Sequence, residues 1–164
     1  MPFLLAAILL AGTLAPLEEP AVVILVRHAE KVDESQETDL TPSGRRRAHA
    51  LAEMLRHAGV EAVYSTDYLR TRETARPTAE LIGKPIEIYD GRALPAFARE
   101  LRAKGGRALV VGHSDTTPEL VGILGGDPGP DIAPDEYDRI YLLTLSPDGK
   151  VSTLQLRFPP GVEE

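Results

Sequence analysis

The feature that most constrains this chain is an unbroken apolar run, Val22, Val23, Ile24, Leu25 and Val26, that ends directly on Arg27 and His28. It is too short for a free-standing helix, mostly β-branched, and apolar on both parities, so it reads as a strand buried on both faces. A strand of that kind needs a layer of structure on each side of its sheet. In open α/β sheets, ligands bind just beyond the carboxyl ends of strands, and here that end delivers a guanidinium and an imidazole together.

The rest of the chain supplies the layers. Strand signals at residues 61–65, 85–89 and 107–112 alternate with helical periodicity at 42–58, 68–82, 94–103 and 116–124. The first helix begins on Thr41 as N-cap with Pro42 behind it, carries Ala48, Leu51, Ala52, Leu55 and Ala58 at helical spacing, and is expected to stop at Gly59. Arg45, Arg46 and Arg47 in its first turns read as a solvated face. His49 and His57 lie eight apart on this helix, a spacing that does not suit a two-histidine metal site. The second helix has Leu69, Ala75, Ala79 and Ile82 as its buried side, with Pro77 inside it; the third has Leu94, Phe97, Ala98 and Leu101, closed by Gly105 and Gly106. A Gly/Pro/Asp loop follows at 125–134, then a hairpin of 139–145 and 151–158 turned by Pro147, Asp148 and Gly149. The expected fold class is therefore α/β, a three-layer α/β/α sandwich around a mostly parallel sheet.

At 164 residues the chain fits one domain, read as 21–164. A net charge of −7 and only 5% aromatic residues exclude a broad nucleic-acid footprint or a stacking platform, so any anion site must be local. With no cysteine, thiolate metal sites and disulfides are excluded. Residues 3–15 are almost wholly apolar: too short to span a membrane, the right length for a secretory core. Residues 1–20 are accordingly expected to be a signal peptide and acidic linker of an exported, periplasmic or envelope-associated protein. An interfacial or disordered apolar tail is the alternative, because the segment has no leading Lys or Arg and Pro16 follows the best cleavage site.

Three strand ends bring chemistry to one place: Arg27 with His28, Arg70 just beyond Ser65, and His113 with Asp115. Two guanidiniums and two imidazoles suit a tetrahedral dianion, since each Arg forks onto two oxygens while a neutral imidazole attacks or donates. Such an imidazole needs its other ring nitrogen bonded to a backbone carbonyl. The implied chemistry is phosphoryl transfer.

Four ordered motifs between residues 22 and 124 resemble those of the histidine phosphatase superfamily, in the branch of phosphoglycerate mutases and small phosphohistidine phosphatases. They are Arg27-His28-Ala29-Glu30, Leu40-Thr41-Pro42-Ser43-Gly44, the block from Tyr64 to Ala75, and Val111-Gly112-His113-Ser114. The resemblance implies a phosphoglycerate mutase-like fold and a metal-independent phosphatase with no cofactor. It makes His28 the phosphoryl acceptor, with Arg27, Arg70 and His113 holding the phosphoryl; Arg70 matches rather than Arg72, because Thr74-Ala75 follows it by four. The substrate would be a small phosphorylated compound or a phosphoprotein. The chain departs from the branch in lacking its glutamate proton-donor motif, offering only Glu87 and Asp90 in a short segment, which counts against mutase activity. Asp115 then stands either as the general acid or as a helix N-cap. A phosphate-binding module of the same fold without turnover is the alternative from a different class.

Overall fold

The computed structural model describes residues 19–158, so the apolar run at 3–15 lies outside the described residues. Six strands and four helices follow in the order β1 (Ala21–Arg27), α1 (Pro42–Leu55), β2 (Ala62–Ser65), α2 (Leu69–Ile82), β3 (Ile86–Ile88), α3 (Leu94–Lys104), β4 (Arg107–Gly112), α4 (Thr116–Ile123), β5 (Arg139–Leu145) and β6 (Val151–Arg157). They form one sheet in the order β3-β2-β4-β1-β5-β6. The β1/β4, β2/β4 and β2/β3 pairs are parallel; β5 runs antiparallel to both β1 and β6. A mostly parallel sheet closed by an antiparallel hairpin is the architecture expected from the alternation.

β1 is central, and its two parities explain the layers. Val23 and Leu25 pack with Phe97 and Leu101 of α3 and Leu120 and Val121 of α4, while Ile24 and Val26 pack with Leu51 of α1 and Ala75 and Ala79 of α2. Leu25 and Leu109 are fully buried. Burying an aliphatic side chain of this size contributes about 1.5–3 kcal/mol relative to leaving it in water, so these paired cores hold the strand ends in fixed register.

Two expectations are corrected. α1 ends at Leu55 rather than at Gly59; a turn follows, and Gly59 takes a positive φ of 68° there. The run Arg45, Arg46, Arg47 is not one solvated face. Arg45 and Arg46 are exposed, but Arg47 is 3% exposed because its guanidinium grips both carboxylate oxygens of Glu30. The helix N-terminus itself is as read, with the Thr41 hydroxyl accepting from the Gly44 N–H at 3.0 Å and Pro42 in the first turn.

Candidate active site

The parallel β1/β4 register sets Arg27 opposite Gly112, so the residues that follow each strand emerge side by side. The rings of His28 and His113 lie 5.5 Å apart at 67°. His28 is buried, its backbone N–H donates to the Gly112 carbonyl at 2.9 Å, and its Nδ1 lies 2.8 Å from the Ala29 carbonyl oxygen. A carbonyl can only accept, which assigns the ring proton to Nδ1 and leaves the Nε2 lone pair open. Burial, reinforced by the nearby Arg27, His113 and Arg70 charges, pushes the His28 pKa down to about 3 even against the Ala29 hydrogen bond. The imidazole is neutral at any ordinary pH.

Arg27 is held from a direction that the sequence did not reveal. Its Nη1 donates to the carbonyls of Ala133 and Glu136, each at 2.9 Å, and its guanidinium lies 4.2 Å from the centre of the Tyr137 ring. The loop before β5 therefore holds Arg27 in place, and Tyr137 also stands 6.0 Å from the His28 ring. Arg70, in the first turn of α2, donates from Nη1 to the Gln36 carbonyl at 3.1 Å and lies over the Tyr68 ring at 4.5 Å. The Nε atoms of Arg27 and Arg70 are both buried without a hydrogen-bond partner. Burial lowers the Arg27 pKa from its ordinary value, but guanidiniums keep their charge.

His113 is wired through hydroxyls. Its Nε2 lies 2.9 Å from Thr66 Oγ1; that hydroxyl donates to Thr71 Oγ1 at 3.0 Å, and Thr71 donates in turn to the Thr66 and Tyr68 carbonyls. With its proton already committed, Thr66 accepts from His113 Nε2–H, so Nδ1 is the acceptor that faces Arg70 Nη2 at 3.5 Å. Burial first, then the Arg70 charge, lowers the His113 pKa to about 4. Asp115 is exposed and is the N-cap of α4, its Oδ1 accepting from the Thr116 N–H at 2.7 Å.

Arg27, His28, Arg70, His113 and Asp115 all line one cleft of about 1110 Å³. The loop at 31–39 supplies part of its mouth through Lys31 and Gln36. Arg72 is not among the lining residues; it pairs with Asp67 and Glu37. Glu87 is also not among them, being bonded to Lys104 at 2.8 Å, and Asp90, which does line the cleft, pairs with Arg92. Thr66, Tyr68 and Glu119 were not assigned a role from the sequence, although Thr66 follows β2 just as His28 and His113 follow β1 and β4. Among the described residues no group of three or more His, Asp or Glu side chains is placed to hold a metal ion.

Residues 23–92, which carry β1, the Arg70 block and the approach to α3, match the family model of the histidine phosphatase superfamily, branch 1. No curated protein matches the sequence of this chain. Among solved structures it is similar to the protein histidine phosphatase SixA complexed with tungstate, at 20% identity and a TM-score of 0.67, over 83% of this chain and 96% of that one. It is similar to a putative phosphohistidine phosphatase SixA from Nakamurella multipartitia, at 20% identity and TM-score 0.65, over 88% and 99% of the two chains. A mycobacterial glucosyl-3-phosphoglycerate phosphatase is similar at 14% identity and TM-score 0.66, over 85% and 98%. These likenesses show a shared fold along nearly the whole length of each relative.

The cleft divides by charge. Its floor carries two guanidiniums and two neutral imidazoles, able to hold a tetrahedral dianion against an unprotonated nitrogen. The α4 wall carries Asp115 and, one turn on, Glu119, both exposed carboxyls. Floor and wall together bring an unprotonated ring nitrogen, two guanidiniums and exposed carboxyls into one cleft.

Proposed function

We propose that this chain is a metal-independent phosphatase that hydrolyses a phosphomonoester or related phosphoryl group through phospho-His28. His28 Nε2 attacks phosphorus and forms the P–N bond as the bond to the leaving oxygen breaks; the Asp115 carboxyl gives that oxygen its proton. Arg27, Arg70 and His113 carry the charge of the transferring phosphoryl. Water then attacks phosphorus, Asp115 takes its proton, the P–N bond breaks, and Nε2 regains its lone pair as phosphate leaves.

The observation that carries this reading is the 2.8 Å contact of His28 Nδ1 with the Ala29 carbonyl, because it fixes the one tautomer whose Nε2 is a nucleophile. The similar SixA and glucosyl-3-phosphoglycerate phosphatase structures support a phosphoprotein or a small phosphate ester as substrate class. The apolar residues 3–15 support export, and mature protein lacking Met1 outside the cytoplasm of its host is the expected result. The decisive assay is turnover of nitrophenyl phosphate with acid-stable or base-stable trapping of the labelled enzyme. A base-stable, acid-labile phosphoryl adduct that vanishes in His28→Ala is expected.

A second reading, a phosphate-binding module without turnover, draws on Asp115 being exposed and already engaged by the Thr116 N–H. Vanadate binding with no turnover above the His28→Ala background would establish it instead.

A further inference from the structure

We infer that Thr74 is a positioning residue that ties the His28 loop to the Arg70 helix through a single hydroxyl. Thr74 lies in α2, one turn after Arg70, and is 3% exposed. A threonine hydroxyl has one proton and two lone pairs. Here the proton goes to the Arg70 carbonyl at 2.7 Å, and a lone pair accepts the Ala29 N–H at 2.9 Å. Ala29 is the residue whose own carbonyl takes the His28 Nδ1 proton. One oxygen thus holds the residue that sets the His28 tautomer while being locked to the backbone of the residue that presents Arg70.

The loop needs such a tether. Residues 28–30 lie beyond β1 and belong to no strand or helix, and the next backbone anchor is the Glu30 carbonyl, which accepts from the Thr41 N–H at 2.9 Å. Without Thr74 the Ala29 N–H is a buried donor with no acceptor, and the loop would have to turn to satisfy it. The same helix contains its own contrast. Thr78, one turn further on, is fully buried, yet its hydroxyl has no hydrogen-bond partner, so there the residue only fills space.

This role rests on the reading of His28 as nucleophile and Arg70 as phosphoryl clamp, and the test separates the two. Full-length wild type, Thr74→Val, Thr74→Ser, Thr78→Val and His28→Ala are compared for kcat and KM on nitrophenyl phosphate. The His28 tautomer is followed by imidazole ¹⁵N shifts. Loss of one buried hydrogen bond at the nucleophile predicts a kcat for Thr74→Val lower by roughly 10- to 100-fold. Thr74→Ser should recover to within about threefold, Thr78→Val should match wild type, and Thr74→Val should show a mixed His28 tautomer. Should the valine variant not fold, Thr74→Cys, with a weak donor and acceptor of similar size, is expected to show the same tautomer change. A folded Thr74 variant with wild-type kcat and an unchanged tautomer overturns the tether. Wild-type turnover by His28→Ala would instead overturn the reading of His28 as nucleophile, and the tautomer measurement would still decide the role of Thr74.

Discussion

A lysine at position 70 would keep a positive charge but lose the planar fork, and the environment of Arg70 uses that fork on several sides: the Gln36 carbonyl, His113 Nδ1 and the Tyr68 ring. Arg70→Lys is expected to cost about 2–4 kcal/mol of transition-state stabilisation, read in kcat/KM, while Arg72→Lys stays near neutral because Arg72 does not line the cleft and pairs with Asp67 and Glu37. Equal losses at both positions would show that the clamp is misassigned. Asp115 has a sharper test. As the acid, its Asp115→Asn variant should slow alkyl phosphates by about 10²-fold and spare nitrophenyl phosphate, whose leaving oxygen needs little protonation. If both substrate types keep their rates, Asp115 only caps α4. The residues at strand ends were legible because a strand's direction says where its end points. Tyr137 and the Ala133 and Glu136 carbonyls were not, because their approach to Arg27 depends on the path of a loop with no period.

At the scale of elements, α1 is joined to the loop that follows His28 by more than its cap. The Glu30 carboxylate and the Arg47 guanidinium form a forked pair, with side-chain exposures of 17% and 4%, and Arg47 also lies over the Phe158 ring at 5.1 Å. Gly44 makes the approach possible, since a Cβ there would come within 2.3 Å of the Glu30 carbonyl oxygen. Arg47→Met would leave the Glu30 carboxylate half-enclosed without its partner. A loss of about 2–3 kcal/mol in urea unfolding is expected, somewhat below the range for fully buried pairs because water still reaches Glu30, and adding Glu30→Gln should return part of it. An additive double variant would mean that the two residues are energetically independent. The start of α1, the buried face of α3 and the closing hairpin followed from its cap, spacing and turn residues, whereas of the face expected for α2 only Ala75 and Ala79 are buried, beside Thr71, Thr74 and Thr78. Nor did the burial of Arg47 follow, because three consecutive arginines on one turn point in different directions and only the partner, seventeen residues upstream, decides which one goes in.

For the whole molecule the two histidines couple the site to stability. Their folded pKa values are depressed to about 3 for His28 and about 4 for His113, against an ordinary 6.5, chiefly by burial. Between those values and 6.5 the unfolded chain binds protons that the folded chain refuses, so unfolding takes up protons and stability rises with pH. The contribution is fully present above about pH 6.5 and is lost as pH falls toward 4 and then 3. Hydrogen-bonded carboxylates with depressed pKa values, Asp39 beside the Leu40 N–H and Arg45 among them, act in the same direction but at lower pH, since their ordinary value is 3.8. The windows are therefore separable. The urea midpoint should fall from pH 7 to pH 5, and replacing both His28 and His113 by Gln should flatten that part of the profile while leaving the steeper loss below about pH 4 in place. A wild-type midpoint that does not change between pH 7 and pH 5 would mean that these imidazoles titrate in the folded protein as they do in the unfolded one. The neutrality of His28 well below pH 6.5 would then lose its physical basis, while its tautomer, set by the Ala29 carbonyl, would stand.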